Sequence, residues 1–292
     1  MSTLAGGGGV PDGGMPIAGT VTVAQAASPL PVSTQPEMPP WNIRVPVGTA
    51  TGWTGLNKFG VNPSIDTNTD PEDVWQVGGV WVRPTAASIH QIASSTANDL
   101  GGGTPGTGLR TLTIEGIDEN WAAVTETVTM NGTTNVPTTL TYWRIHRMYG
   151  TTWGSQHTND GDITATADSG GTVTASILAG WSQTQMAIYT VPTGKTLYLC
   201  SYYGTLLRVT GGGAGSAQFQ LISVLGADLA TWGERVRHSI GAVATGSNQV
   251  THTFDPAVAI DGPADVLVRV LFVSASGSYC SAGFCGYITD TP

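Results

Sequence analysis

From residue 46 to the C-terminus the sequence runs in short segments of alternating apolar and polar residues. Gly, Pro, Asn or Asp ends each segment after roughly eight to twelve residues. A period of two puts one set of side chains in a core and the other in solvent only if the chain is a strand. Leu109 to Ile117 (LRTLTIEGI) and Ala122 to Met130 (AAVTETVTM) alternate cleanly around Asp118, Glu119 and Asn120, so a hairpin is expected there. Asn131-Gly132 adds a type I′ turn signal before Leu140 to Met148, which carries Tyr142, Arg144, His146 and Met148 on one face. Asp162 to Ala167 and Thr172 to Leu178 form a second expected hairpin around Ser169-Gly170-Gly171. Asp73 to Val82 (DVWQVGGVWV) reads as a strand bent at Gly78-Gly79.

The last third continues in the same style. Met186 to Val191 leads through a hairpin connection at Pro192 to Lys195 into Lys195 to Val209, followed by Ala217 to Leu225. Further strands are expected near 234–240, 249–254, 265–273 and 279–288, and no amphipathic helical repeat stands out. The expected fold is all-β, an antiparallel β-sandwich or jelly roll of one or two sandwich units. One sandwich would occupy 46–180, and 181–292 would be a second sandwich or the second half of the first. Residues 1–45 differ. Gly6 to Gly9, Gly13-Gly14, Pro29, Pro31, Pro36, Pro39 and Pro40 leave only Val21 to Ala27 with strand character. Such a stretch cannot bury enough apolar surface to offset its chain entropy. It is expected to be an extended N-terminal arm ordered by neighbours in an assembly, a flexible tail being the plainer alternative.

Charge sets the character of the surface. Only 11% of residues are charged, and just two, Lys58 and Lys195, are lysines. Thr, Ser, Asn, Gln and Gly must therefore cover the outside, and such a surface does little to repel copies of itself. The net charge of −9 argues against a phosphate backbone as a partner. The two basic clusters, Arg144, His146 and Arg147, and Arg235, Arg237 and His238, fall on strand-like segments, where each is expected to decorate a sheet face. Three cysteines, Cys200, Cys280 and Cys285, cannot close a disulfide framework. Cys280 and Cys285 could pair across a short loop, but reduced thiols made in a cytosol explain the odd count more simply. No Lys or Arg precedes Arg44, so a secretory n-region is not expected, and no apolar run is long enough for a membrane-spanning helix.

Motifs for chemistry are sparse. Asp66, Asn68 and Asp70 reproduce the first ligand spacings of a calcium loop, with Glu72 and Asp73 adjacent. The sixth-position glycine and twelfth-position glutamate are missing. A solvated acidic turn is thus the preferred reading, with a structural Ca2+ as the candidate alternative. Thr158 to Asp162 (TNDGD) reads as a turn. Gly194-Lys195-Thr196 fails as a phosphate loop because Tyr189 stands where its first glycine belongs. His90, His146, His157, His238 and His252 show no zinc spacing, and no GxSxG elbow is present. Glu115, Asp118, Glu119 and Glu126 share one hairpin, and a glycosidase pair there is a question of geometry. Among nine tryptophans, Trp53 in TGWTG and Trp153 in TTWGS stand in loop-like settings, suited to interface anchors or sugar platforms.

Four segments carry a family likeness: FGVNPSIDTNTDPEDVW (59–75), SSTANDLGGGTPGTGLRTLTIEGID (94–118), ETVTMNGTT (126–134) and YTVPTGKTLYL (189–199). Together they resemble a poorly characterised family of tailed-bacteriophage virion structural proteins found among cyanophages and other aquatic phages. The likeness spans roughly residues 46–205 and does not include the arm. It implies a particle component without catalytic residues or cofactor, made in the host cytoplasm and located in the virion. The expected function is a non-enzymatic, self-assembling capsid decoration or cement protein or head fibre. The alternative is a tail fibre, spike or adaptor that binds a host receptor or glycan. Expected partners are further copies of the chain, as a homotrimer, and other virion proteins such as the major capsid protein or tail proteins. A host surface glycan is a further candidate; nucleic acid and membrane are not expected.

Overall fold

The computed structural model describes residues 39–66, 71–208, 215–225, 231–242, 247–274 and 276–292. The arm expected at 1–45 lies outside the described residues as far as residue 38. The unit Pro40–Pro292 opens on a four-residue helix, α1 (Trp41–Arg44). The strands that follow are β1 (Thr54–Ile65), β2 (Glu72–Asp73), β3 (His90–Ser94), β4 (Leu109–Ile117), β5 (Ala123–Thr129) and β6 (Val136–Pro137). Next come β7 (Arg144–Trp153), β8 (Ile163–Ala167), β9 (Val173–Ile177), β10 (Ile188–Val191) and β11 (Lys195–Arg208). The last five are β12 (Gly215–Leu225), β13 (Thr231–Ala242), β14 (Ser247–Asp261), β15 (Ala264–Val273) and β16 (Ser278–Asp290).

These strands form four antiparallel sheets. Sheet A has the order β1-β16-β11-β14, and sheet B the order β10-β15-β12-β13 with β2 beside β15. Sheet C is β6-β3-β8-β9 and sheet D is β5-β4-β7. Sheets A and B enclose one core, in which Leu197, Leu199 and Phe284 meet Phe219, Leu221, Val266 and Val268. The other face of sheet B belongs to a second core, where Ile222, Val224 and Leu267 join Leu112, Ile114, Ile163, Ile177 and Trp81. Sheet B is therefore a shared middle layer, and its sequence shows why. In β15 (ADVLVRVLFV), Val266, Val268 and Val270 enter one core while Leu267 enters the other, so the segment is nearly all apolar instead of alternating. The chain is thus an all-β, antiparallel sandwich fold. Residue 180 does not divide the sheets, because β1 pairs with β16 and β2 with β15.

Both expected hairpins form. The first is β4–β5, with Thr111 opposite Thr129 and Ile117 opposite Ala123; the second is β8–β9. Asp118 shapes the first turn by accepting backbone N–H bonds from Asn120 and Ala122, each at 2.9 Å. Elsewhere local signals gave way to tertiary demands. Of the expected 73–82 strand only Asp73, with Glu72 before it, pairs in a ladder, and Trp75 adds a single antiparallel bridge to Met186. Gly78 and Gly79 adopt φ of 79° and 66°, which turns the chain back so that the Asp73 N–H reaches the Gly79 carbonyl at 3.0 Å. The connection at Pro192 to Lys195 is not a hairpin, because β10 lies in sheet B and β11 in sheet A. The Asn131-Gly132 turn likewise hands the chain from sheet D to sheet C. Cys280 and Cys285 lie on the single strand β16, Cys280 buried against Leu206 and Cys285 beside Ser201. No loop separates them, and five strand steps span roughly 16 Å, too far for a disulfide.

Two buried carboxylates tie the tiers and loops together. Asp265 on β15 accepts from Arg83 Nε at 2.9 Å, Arg144 Nε at 3.3 Å and Thr190 Oγ1 at 2.7 Å. Arg144 and Asp265 are both fully buried, and the Arg144 guanidinium lies 5.4–5.9 Å from the ring centres of Trp81, Trp121 and Trp143. Asp99 accepts the N–H groups of Leu109, Asp160 and Gly161 and the Ser94 hydroxyl, at 2.6–2.9 Å, which fixes the TNDGD turn against sheets C and D.

Candidate interface: an open sandwich edge and an aromatic patch

The A–B sandwich is covered along one side and open along the other. On the covered side, the β1 backbone at Val61 donates to Gln185 O at 3.3 Å, and Lys58 Nζ donates to the His146 carbonyl at 2.6 Å. On the open side, β13 ends sheet B and β14 ends sheet A, with no further strand paired beyond them among the described residues. Residues 247–253 of β14 pair regularly with β11, and then the register slips so that residues 254–257 stand opposite Cys200 alone. Pro256 sits in that slip, which blunts the far end of the edge. The near end has no such protection. It alternates half-buried Val250 and His252 with exposed Gln249, Thr251 and Thr253, and it carries no charge at all.

Aromatic side chains fill the gap between the two edges. His252 lies 4.6 Å from Phe254 and 5.2 Å from His238, which stacks on Tyr202 at 5.9 Å. Asn248 Nδ2 bridges to the Gly241 carbonyl at 2.7 Å. Burial, aided by neighbouring His252, holds the His238 imidazole below its ordinary pKa, and burial pushes the Tyr202 phenol up. The Tyr202 hydroxyl and His238 Nδ1 are buried without a hydrogen-bond partner.

Trp53, expected at an interface, belongs to an aromatic patch. It stands 5.2 Å edge-on from Trp41 and 5.4 Å from Tyr198, while Trp41 lies 6.2 Å from Tyr287. Tyr198 and Tyr287 are register partners on β11 and β16, so the patch sits on one face of sheet A and α1 supplies its other member. Trp153 is in a different setting. It is half-buried against the second core, with its ring over Gly150, where a Cβ would come within 2.0 Å of it.

The described acidic side chains of these two regions mostly bind groups of the chain itself. Asp66 is exposed, while Asn68 and Asp70 lie outside the described residues. Glu72 accepts from the Asp66 N–H at 2.8 Å and from Asn62 Nδ2 and the Gly79 N–H, both at 2.9 Å. Among the described residues no group of three or more His, Cys, Asp or Glu is placed to hold a metal ion. In the β4–β5 hairpin, Glu115 stands opposite Thr125 and Glu126 opposite Ile114, which puts the two glutamates on opposite faces of the sheet. Glu115 pairs with Arg147 at 3.5 Å, and Glu126 accepts from Tyr142 Oη and Thr139 Oγ1 at 2.8 and 2.7 Å. The basic cluster on β7 does not decorate a surface either: Arg144 and His146 are buried, and only Arg147 reaches solvent.

One cleft of about 320 Å³ went unread in the sequence. Lys58, Glu115, His146, Arg147 and Tyr189 line it where β1, β7 and β10 meet. Burial, with Arg147 adding and Glu115 opposing, brings the Lys58 amine down to about 7. Burial holds His146 well below the ordinary histidine value and pushes Tyr189, 4.7 Å from the His146 ring, up to about 12. A lysine this easily deprotonated is able to accept a proton, but its Nζ is already committed to the His146 carbonyl. The cleft serves first as a cross-link between β1 and β7.

No family model matches the sequence, and no curated protein does. Among solved structures, the chain shows a likeness to one described as the structure of infectious bursal disease virus Gx strain. The identity is 10% and the TM-score 0.19, over 82% of this chain and 73% of that one. A likeness at that level carries no argument.

Proposed function

We propose that this chain is a non-enzymatic virion structural protein that assembles with copies of itself, as a capsid decoration or cement protein or a head fibre. The observation that carries the reading is the open side of the A–B sandwich. Two long strands, β13 and β14, end facing sheets there, and the regular half of β14 has neither lysine nor proline. An edge of that kind offers a row of unpaired backbone groups to an incoming strand. Charge favours a heterologous contact. The charged residues of β14 are Asp255 and Asp261, whereas β13 carries Arg235 and Arg237 against the single acid Glu234. With the open side turned toward a threefold axis, β14 of each copy meets β13 of the next, and three such contacts close a trimer. The charge-poor, lysine-poor composition and the resemblance of the four segments support the same reading, a particle component that contacts the major capsid protein or tail proteins.

The test is native mass as a function of concentration. The wild-type chain is expected to be a trimer. The Thr251→Lys, Thr253→Lys double variant, which sets lysines against Arg235 and Arg237 of a neighbour, is expected to be a folded monomer. A wild-type monomer at high concentration that fails to bind purified particles would sink the proposal.

A further inference from the structure

The outer face of sheet B is only partly covered by sheets C and D. Beyond that cover lies a groove of about 330 Å³, with Arg83, Arg237, Arg269, Gln220, Trp232 and Leu271 among its lining residues. Three of the nine arginines in a chain of net charge −9 thus meet at one place. Each is braced from the side or from beneath. Arg83 Nε binds Asp265 at 2.9 Å, Arg269 binds Asp73 at 3.0 Å, and Arg237 Nε binds Glu234 at 3.1 Å. Asp265 and Asp73 are fully buried, so their charge sits below the floor while the guanidinium groups face the groove. Glu234 is engaged by Arg237 and Gln220 and is not part of the lining. Guanidinium groups fixed in this way lose little freedom when they take a further acceptor.

The other half of the groove is apolar. Trp232 on β13 is 60% exposed, far more than any other tryptophan, and its register partner is Val224 on the groove floor. An exposed indole beside Leu271 and Val224 offers a flat surface to a ligand with a C–H face, and the arginines offer planar forks to a carboxylate or phosphate. A simple anion would leave the indole unused, and a neutral sugar would give the clustered guanidinium groups no anionic acceptor. We propose that this groove binds a saccharide bearing a carboxylate, such as a uronic acid residue of a surface polysaccharide, with the sugar ring on Trp232 and its carboxylate on Arg83 and Arg237. Trp232 and Arg237 lie on β13, the strand that the proposed contact between copies also uses, so native mass is measured for each variant and loss of assembly is told apart from loss of binding.

The test is isothermal titration of the full-length protein, in its native assembly state, with four probes: an oligomer of glucuronic acid, a glucose oligomer of equal length, inorganic phosphate, and single-stranded DNA. The glucuronic acid oligomer is expected to bind, and the glucose oligomer at least about tenfold more weakly, as for loss of a charge-assisted pair. Trp232→Ala and Arg237→Gln are each expected to weaken the glucuronate complex about tenfold or more. Both side chains are exposed, and an unchanged thermal melt checks the fold. Equal binding of both oligomers, tighter binding of phosphate or DNA than of glucuronate, or full affinity in Trp232→Ala would each overturn the proposal. So would the absence of any glucuronate binding.

Discussion

Replacing Asp265 by Asn tests how the two cores are held together. The substitution keeps the shape of the side chain, so no cavity forms, and Thr190 Oγ1 can still donate to the amide oxygen. What disappears is the charge facing Arg144, which is fully buried, and Arg83, whose side chain is 22% exposed. Removing one partner of a buried ion pair costs about 3–5 kcal/mol, because the other charge stays desolvated and unpaired. For a unit of this size that corresponds to a fall in Tm of roughly 6–20 °C. Urea unfolding followed by tryptophan emission reads the loss directly, since Trp81, Trp121 and Trp143 surround Arg144. The Arg144→Met, Asp265→Leu double variant removes both fully buried charges and is expected to recover part of the loss, since Arg83 and the buried Thr190 hydroxyl still lack their acceptor. A loss below about 1 kcal/mol in Asp265→Asn would refute the reasoning, because it would mean that water already reaches Arg144.

Lys58 gives a prediction in pH. Its amine ionises near 7 in the folded chain and near 10.5 when unfolded, so between those values the unfolded chain holds more protons and stability rises with pH. From pH 7 to 9 wild-type stability is expected to climb by up to about 1.4 kcal/mol for each pH step, and Lys58→Met to flatten that climb. Parallel pH profiles for the two proteins would contradict the assignment. Gly60→Ala is expected to destabilise by about 1–3 kcal/mol or more in thermal or urea melts, as overpacking does. Its Cβ would lie 2.2 Å from the Ala187 nitrogen and 2.5 Å from the Val74 carbonyl oxygen, both backbone atoms. Full stability in that variant would show that β1 does not approach the Val74 and Ala187 segments so closely.

The sequence displayed strands well where one face met a core and the other met water. The β4–β5 and β8–β9 hairpins were legible because each keeps period two and closes through local turn chemistry. Sheet membership was not legible. Pro192 to Lys195 looks like any tight turn, and nothing within it says that the chain is crossing from sheet B to sheet A. The segment 73–82 misled because apolar residues beside Trp75 and Trp81 mimic a strand, whereas paired glycines of positive φ fold it into a plug over the second core. Arg144 alternated as a surface residue would, and only its distant partner Asp265, 121 positions away, explains its burial. The arginine groove was hidden for the same reason: Arg83, Arg237 and Arg269 come from three segments that share no motif. A hint lay in composition, since in a chain this poor in lysine each buried or clustered cation needs a reason.

Amide hydrogen exchange across β14, compared between the assembled protein and its dissociated form, addresses the central claim most directly. If β14 is the contact between copies, amides in residues 247–253 are slowed on assembly, along with those of β13, while the pairing of β11 with β16 is unchanged. If residues 247–253 exchange equally fast in both states, the open edge is not the interface and the account of self-assembly fails.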